Sequence, residues 1–216
     1  MEEISKMKVS GFEVQKGRAL ARLRRCGADD EIVTILARIN SLEGFFTTSS
    51  CSGRIVLICL PQIGAKREAE FIGKWHRPVG KEEVLGALKG SKSDEIWLLA
   101  QSPILHVSCR GLENAKALLQ IAMESGFKYS GIKAISKSDD KVMVEIMSTE
   151  RMDVPLGKDG VIFCSEQYIE FIVSKADFML ERGKAKLKRL YYGLEGIGGA
   201  FICKKKLTEI GQLVKY

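Results

Sequence analysis

The chain has 216 residues, of which 45% are hydrophobic and 28% are charged, and its formal net charge at pH 7 is +7. This composition is typical of a globular protein with a real core, and no apolar run reaches the length of a membrane span. The N-terminus is too charged for a signal peptide, so the sequence favours a cytoplasmic protein. Its six cysteines form no Cys-x-x-Cys pair and are accompanied by two histidines, which predicts reduced thiols and no structural metal.

The first 60 residues predict two helices and one long extended segment. Residues 1–42 hold the helices, an amphipathic one at 12–25 and a second one at 31–41. The segment 45–60 is extended in pattern, and its second part, 55–60, is a continuous apolar run. Such a run indicates a strand that is buried on both faces.

The middle of the chain mixes helices and strands. Short helices are predicted at 66–73 and 81–88, on either side of a loop rich in Gly and Pro. Strands are predicted at 95–101 and 104–109. The clearest amphipathic pattern of the chain follows at 112–124 and predicts a third helix in this region.

The remaining elements complete the fold prediction. A hairpin at 132–147 closes a βαββ unit, a short strand is expected at 161–164, and a long helix at 166–192 carries many basic residues. Residues 193–216 are expected to be either an edge strand or a disordered tail. We predict a single α+β domain over the whole chain, with a mixed, strongly curved sheet within 43–165 and helices flanking it. The sequence lacks the Gly-x-Gly-x-x-Gly turn of a Rossmann-like fold.

The stretch TTSSCSGR places three short polar or flexible residues, Ser49, Ser52 and Gly53, before Arg54. Backbone N–H groups of such a loop, next to an arginine, bind carboxylates or phosphates. A Ser-rich turn with one surface arginine has the same composition, and the residues alone leave both interpretations open. The loop does not end in the Gly-Lys-Ser/Thr of a Walker loop.

His106 lies in the middle of the predicted strand ILHVSCR. Strand alternation places Ile104, His106 and Ser108 on one face. A histidine in this position serves as a general base, as a hydrogen-bond donor or as a structural group. Arg110, at the end of the strand, is a second candidate contact for an anion.

Two Ser-Gly pairs, Ser125–Gly126 and Ser130–Gly131, bracket two aromatic residues in the stretch SGFKYSG. Accessible backbone beside aromatic rings suits a nucleoside that stacks on a ring. A helix cap followed by a turn with core aromatics is the alternative interpretation.

Basic and aromatic residues at two places are candidates for RNA contact, because each neutralised phosphate releases counterions. The candidates are Trp75 and Arg77 in the Gly/Pro loop, and Lys184, Lys186, Lys188 and Arg189 in the long helix. A solvated helix face and a Trp that fills the core are the structural alternatives.

Several motifs, taken in order, resemble the tRNA wybutosine-synthesising protein 3 family, in particular its archaeal branch. They are SSCSGR at 49–54, HVSCR at 106–110 and ALLQIAMESGFKYSGI at 117–132, and the later stretch VPLGKDGVIFCSEQYIEFIVSKAD is also similar. The resemblance runs from about residue 12 to residue 192. It rests on the agreement of these motifs in order and spacing, because each of them alone is weakly specific.

The resemblance implies a methyltransferase that uses S-adenosylmethionine and has a fold of its own. Its substrate would be the modified guanosine next to the anticodon of tRNA-Phe, methylated at N4 of the 7-aminocarboxypropyl-demethylwyosine base, with no metal required. Carried onto this chain, it gives His106 and Arg54 catalytic roles. The serine and glycine clusters would bind the cofactor, and the basic residues would hold the anticodon stem-loop.

Two further hypotheses remain open from the sequence. A non-catalytic RNA-binding module would keep the polar cleft without turnover. A methyltransferase for a different modified tricyclic nucleoside would keep the cofactor site and change the acceptor.

Overall fold

A computed structural model of the protein describes residues 11–62, 64, 67–90, 94–137 and 140–197. The described residues form five helices: α1 (Gly11–Cys26), α2 (Asp30–Ser41), α3 (Lys81–Leu88), α4 (Gly111–Glu124) and α5 (Glu166–Gly193). They also form nine strands: β1 (Phe45–Cys51), β2 (Arg54–Leu60), β3 (Glu70–Trp75), β4 (Glu95–Gln101), β5 (Ile104–Arg110), β6 (Gly131–Ile135), β7 (Lys141–Met147), β8 (Met152–Lys158) and β9 (Val161–Ile162). None of these helices combines the length and the apolar character that crossing a membrane requires.

The strands form two antiparallel sheets. The first sheet has the order β1-β5-β7-β6 and the second has the order β3-β2-β4-β8-β9. The chain passes from one sheet to the other at three short connections: between β1 and β2, between β4 and β5, and between β7 and β8. We call the region where these three connections meet the junction.

The predicted α+β class is confirmed, with one difference in the sheet. In place of one mixed sheet, the described strands form two sheets whose pairings are all antiparallel. Gly53 and Pro103 explain the break, because both lie in connections at the junction. Gly53 has φ of +95°, a left-handed conformation that turns the chain. Pro103 has no N–H with which to continue a ladder between β4 and β5.

Helix α5 covers the inner faces of both sheets. Its first half, including Ile172 and Leu180, packs in a core with α3 and the second sheet. Its last turns, including Leu187 and Leu190, pack in another core with α2, α4 and the first sheet. The helix crosses the junction at Gly183, where a Cβ atom would lie 2.7 Å from Pro103 Cδ.

The predicted helix at 66–73 is wrong, and two strands, β3 and β8, were not predicted. The region of the predicted helix contains the start of β3, which pairs with β2 and so satisfies the second edge of that buried strand. Strand β8 was missed because Pro155 normally interrupts a central strand. Here Pro155 lies at a register shift of the β4–β8 pair, a place where proline is tolerated.

The other predicted elements are found within one or two residues of their expected positions, except that the strand at 161–164 is reduced to β9. The βαββ unit is present as β5, α4, β6 and β7. Most of the predicted tail, residues 198–216, lies outside the described residues.

Candidate active site at the junction of the two sheets

Arg54 opens β2 at the junction and lines a cavity of about 230 Å³. Its Nε donates a hydrogen bond of 2.6 Å to Gln101 Oε1 on the neighbouring strand. The guanidinium carbon lies 5.8 Å from the centroid of the Phe71 ring. A neutral partner leaves the positive charge of Arg54 uncompensated, and among the described residues its two terminal nitrogens have no hydrogen-bond partner. The group is therefore suited to a two-pronged contact with a carboxylate or a phosphate.

Arg151 lines the same cavity from the β7–β8 connection. Unlike Arg54, it is held by an acidic side chain, since its Nε and Nη2 lie 2.9 and 2.6 Å from Asp153 Oδ2. This ion pair raises the pKa of Arg151. Of these two arginines, Arg54 is the stronger candidate for an anion anchor, because the charge of Arg151 is already neutralised.

A partly buried cluster, with Ser52 at its centre, holds the loop that carries Arg54. The backbone N–H and the hydroxyl of Ser52 donate to Asp29 Oδ2 at 2.8 and 3.0 Å. His76 Nδ1 lies 3.1 Å from the Gly53 carbonyl oxygen, so this nitrogen donates. Burial alone would raise the pKa of Asp29, but the hydrogen bonds from Ser52 and the nearby His76 outweigh it and lower the pKa. The cluster ties the N-terminus of α2 to the junction.

Asp29, His76 and Cys51 are the described residues whose ligand atoms come close enough to hold a metal ion, within 4.8 Å of one another. Hydrogen bonding accounts for this grouping. A proton on His76 Nδ1 is needed for the contact with Gly53, and this proton blocks the nitrogen as a ligand. Burial raises the pKa of the Cys51 thiol, which keeps it protonated at neutral pH.

A row of polar side chains crosses the outer face of the first sheet. Ser49 Oγ lies 2.9 Å from His106 Nδ1, and His106 Nε2 lies 3.0 Å from Glu145 Oε2. Lys133 Nζ lies 2.6 Å from the other oxygen of Glu145. Because an ionised carboxylate only accepts hydrogen bonds, Nε2 carries the proton and Nδ1 accepts from the Ser49 hydroxyl. We call Ser49, His106, Glu145 and Lys133 the polar row.

Two β-bulges allow the polar row to form. The β1–β5 register shifts between Thr47 and Ser49, and the β6–β7 register shifts between Ile132 and Ala134. With regular pairing, Ser49 would lie opposite Leu105 and point to the core. The extra residue brings Ser49 opposite His106 on the outer face.

Glu145 is the acidic centre of the polar row. Burial by itself would raise the pKa of Glu145, but Lys133 and His106 outweigh this effect and lower it. The carboxylate is therefore ionised at neutral pH.

The polar row and the Arg54 cavity are neighbours. Cys51, Ile104 and Met147 lie side by side in the first sheet and line the cavity. The polar row is the next row on the same face, two residues along each strand, which corresponds to about 7 Å. Thus the structure brings the Ser-Cys-Ser-Gly-Arg and His-Val-Ser-Cys-Arg motifs to one surface.

Two more cavities adjoin this surface. One of about 620 Å³ lies on the outer face of the second sheet, and its apolar walls include Phe71, Trp97 and Leu99. It shares Gln101 and Arg151 with the Arg54 cavity. The other, of about 480 Å³, lies between the ends of α1 and α2 and the polar half of β1. Ser49 lines this last cavity and contacts His106 as well.

Of the second predicted cluster, only Gly131 lies at this surface. Gly131 is opposite Glu145 in the β6–β7 register and so continues the polar row. The hydroxyl of Ser130 donates to the Phe127 carbonyl and accepts from the N–H of Met147, which fixes the turn before β6.

Ser125 and Gly126 lie on the other side of the first sheet. The Ser125 carbonyl accepts from Arg189 Nε at 3.2 Å. Gly126 has φ of +96°, and a Cβ atom there would lie 3.2 Å from Lys186 Cε. These two residues end α4 against α5, so we leave them out of the proposed cofactor site.

Among the residues predicted to contact RNA, Trp75 and Arg77 have partners within the protein. The Trp75 ring packs over Gly73, where a Cβ atom would lie 2.1 Å from the ring. Arg77 pairs with both oxygens of Glu83 at 3.0 and 2.7 Å. Arg77 lowers the pKa of Glu83 to about 2.

The basic residues of α5 divide into two kinds. Lys188 and Arg189 are exposed, whereas Lys184 is 2.6 Å from Glu31. Lys186 is only 5% exposed, and its ammonium group contacts Glu150 and Ser148. This internal ion pair differs from the predicted RNA contact, so we leave Lys186 out of the proposed RNA surface.

Sequence reasoning missed Asp29, His76, Gln101, Glu145 and Lys133. Strand alternation predicts Glu145 on one face of β7, and its place opposite His106 needs the β5–β7 register. The contacts of Asp29 and His76 join residues more than 20 positions apart, and no local pattern signals them.

Comparison with known proteins agrees with this arrangement of motifs. The family model described as Methyltransferase TYW3 matches residues 14–196. The chain is 47% identical over 190 residues to tRNA(Phe) 7-((3-amino-3-carboxypropyl)-4-demethylwyosine(37)-N(4))-methyltransferase 1 of Pyrococcus furiosus, covering 86% of this chain and 96% of that protein. The protein of the same name from Thermococcus kodakarensis is 48% identical over 188 residues, covering 85% and 94% of the two chains.

Solved structures show the same fold. The PH1069 protein of Pyrococcus horikoshii superposes with a TM-score of 0.80 at 48% identity, covering 85% of this chain and 95% of that one. A hypothetical protein of Aeropyrum pernix superposes with a TM-score of 0.68 at 32% identity, covering 78% and 98%. The chain belongs to the Methyltransferase TYW3 family.

Proposed function

We propose that this protein methylates N4 of 7-(3-amino-3-carboxypropyl)-4-demethylwyosine at position 37 of tRNA(Phe), using S-adenosylmethionine as the methyl donor. The observation that carries the proposal is the close similarity to relatives with this activity in their names, over nearly their whole length. A tRNA substrate places the proposed reaction in the cytoplasm.

The residues at the junction fit such a methyl donor. The donor carries a carboxylate and a purine, and when bound it supplies an electrophilic methyl group on a sulfonium. Arg54 offers a carboxylate two guanidinium nitrogens that have no hydrogen-bond partner among the described residues. The adjoining 620 Å³ cavity offers Trp97 and Phe71 as apolar and aromatic walls for a purine, and its volume is in the range of ordinary ligand sites.

Two carboxylates meet in the proposed complex, because the aminocarboxypropyl arm of the base carries one as well. Arg54 and Arg151 line one cavity, and they differ in their partners. Arg54 is free to take a carboxylate directly, while Arg151 must first release Asp153. We therefore assign the tighter carboxylate contact to Arg54.

The polar row supplies the proton acceptor. Nitrogen N4 gives up a proton when it is methylated, and that proton needs a base near the acceptor. The Ser49 hydroxyl, which lines an open cavity, donates to His106 Nδ1, so a proton from the substrate can pass through Ser49 Oγ to that nitrogen. Glu145 holds the Nε2 proton and stabilises the imidazolium that forms.

A methyl-transfer assay with an Arg54→Ala variant tests the proposal. The substrate is tRNA(Phe) isolated from a strain that lacks this gene, and nucleoside mass spectrometry detects the added methyl group. We expect the wild-type protein to methylate the position-37 nucleoside and Arg54→Ala to be about 100-fold slower, because the anchored ligand loses its alignment. The free energy of unfolding should change by about 1 kcal/mol, since one hydrogen bond to Gln101 is lost.

Arg18→Ala is the matched control, because Arg18 is an exposed arginine of α1 that lines none of the three cavities of the site. It should leave activity unchanged. Binding of tRNA(Phe) without methylation of any nucleoside would support the non-catalytic RNA-binding hypothesis instead. Methylation of a different nucleoside in the same tRNA pool would support the hypothesis of a methyltransferase with the same cofactor site and a different acceptor. An Arg54→Ala protein with full activity would refute the anchor role.

A further inference from the structure

One flank of α5 exposes aromatic and basic side chains in alternation. Tyr168, Phe171, Lys175, Phe178 and Arg182 follow one another at intervals of three and four residues, which places them along one side of the helix. The three aromatic residues are 45%, 55% and 59% exposed, in chain order. We call these five residues the aromatic stripe.

Each phenylalanine of the aromatic stripe has a cation beside it. Lys175 Nζ lies 5.0 Å from the centroid of the Phe171 ring, and Arg182 Cζ lies 5.6 Å from that of Phe178. Exposed rings next to positive charges are the combination that binds unpaired nucleotides: bases stack on the rings and phosphates approach the cations.

Contacts with α2, and with α3 and the residues just before it, lie on the opposite flank of α5. Lys184 contacts Glu31 of α2, Lys81 of α3 lies 3.2 Å from Glu170, and the Val79 N–H donates to Asp177 at 2.8 Å. These contacts leave the aromatic stripe on the flank that faces away from α2 and α3.

The aromatic stripe leads to the candidate active site. Arg182 Nε lies 3.3 Å from Glu150 Oε1, in the connection between β7 and β8. The next residue, Arg151, lines the Arg54 cavity. A strand of RNA on the stripe can therefore continue around the edge of the junction to the cavity without crossing the core.

We infer that the aromatic stripe binds single-stranded nucleotides of the RNA substrate, beside the nucleotide that is modified. The inference rests on the proposed function for the identity of the substrate. The net charge of +7 and the ammonium group of Lys175 in the stripe attract phosphates. The exposed rings favour unpaired bases over a duplex, because the bases of a duplex are already stacked.

Fluorescence anisotropy with two RNA probes tests the inference. One probe is a synthetic hairpin of the tRNA(Phe) anticodon arm, and the other is its stem closed as a blunt duplex without a loop. For Phe171→Ala/Phe178→Ala we expect hairpin binding to weaken about tenfold for each ring, and duplex binding to stay unchanged. Lys175→Ala should weaken the binding of both probes. It should also reduce the slope of log affinity against log salt concentration by about one.

Two control variants carry matched changes elsewhere. Tyr192→Ala removes a ring that is 66% exposed on the same helix, and Lys116→Ala removes an exposed cation of α4. Neither should alter hairpin affinity. The circular dichroism melting curve of each variant confirms that it is folded.

Three results would overturn the inference. The first is hairpin affinity unchanged in the double phenylalanine variant, and the second is an equal loss in Tyr192→Ala. The third is a change from dimer to monomer, measured by sedimentation, in a double variant whose RNA affinity is unchanged. The stripe would then be a subunit interface.

The wild-type methylation assay separates this inference from the proposed function. A protein that binds the hairpin through the stripe and transfers no methyl group refutes the function and leaves the stripe as an RNA site. A protein that methylates tRNA(Phe) equally well without the two rings refutes the stripe alone.

Discussion

Replacing Lys186 by methionine removes the positive charge from a buried ion pair on α5. Lys186 Nζ contacts Glu150 and lies 2.8 Å from Ser148 Oγ, and all three residues are buried. Methionine keeps the length and apolar volume of the lysine stem, so the substitution mainly tests the charge. After it, Glu150 remains inside the protein with Arg182 as its nearest cation.

The size of the effect follows from the pKa of Glu150. Burial by itself would raise it, but Lys186 and Ser148 lower it from the ordinary 4.5 to about 2. A difference of about 2.5 units at about 1.4 kcal/mol per unit gives about 3–4 kcal/mol. Breaking a buried ion pair by removing one partner costs about 3–5 kcal/mol, which agrees. We therefore expect Lys186→Met to lower the free energy of unfolding at pH 7 by about 3–4 kcal/mol.

The pH dependence provides a second readout. Because the pKa of Glu150 is lower in the folded state than in the unfolded state, its stabilisation is complete above the unfolded-state value of 4.5 and is lost as the pH falls toward 2. In Lys186→Met the burial of Glu150 is no longer offset, so its pKa should rise. The unfolded-state pKa is the same for both proteins, so the difference in stability is largest above the raised pKa of Glu150 in the variant and shrinks as the pH falls from that value toward 2.

Urea unfolding followed by circular dichroism, repeated across pH 3–7, measures this difference. Lys188→Met is the matched control, because Lys188 is exposed two residues further along the same helix. Its effect should be less than about 0.5 kcal/mol. Adding Glu150→Gln to Lys186→Met should recover part of the loss, since no unpaired buried charge remains. Equal effects of the two lysine variants, or a loss in Lys186→Met that is independent of pH, would refute the buried-pair argument.

Two glycines and two cysteines give further predictions. Gly17→Ala should stabilise the protein by about 1 kcal/mol, because space is open around this position in α1. Gly183→Ala should destabilise it by about 1–3 kcal/mol, because the added methyl group presses α5 against Pro103. Thermal unfolding of both variants measures these changes, and a change in stability of the same sign in both would contradict the prediction. Burial raises the pKa of Cys109 to about 12, so its thiol should resist maleimide at neutral pH while the exposed Cys26 reacts. Peptide mapping by mass spectrometry checks this, and rapid labelling of Cys109 in the folded protein would contradict its burial.

Local patterns in the sequence were sufficient to predict the elements whose burial repeats regularly along the chain. The periodicity of α4 and the apolar run of β2 predicted both elements correctly, because burial of one face or of both faces leaves a local signature. They failed for β3, where pairing with β2 outweighs the local pattern. They also failed for β8, where a register shift accommodates Pro155.

For the site, the sequence determined which residues can do chemistry, and the tertiary structure decided which of them act together. The motifs predict Arg54 and His106 as candidate site residues, because a guanidinium group and an imidazole are recognisable from the sequence alone. The β1 bulge, the β5–β7 register and the junction of two sheets place Ser49 and Glu145 beside His106, one row from Arg54. The same long-range packing buries Lys186 and exposes Phe171 and Phe178, because the orientation of a helix on two sheets depends on contacts that lie far apart in the chain.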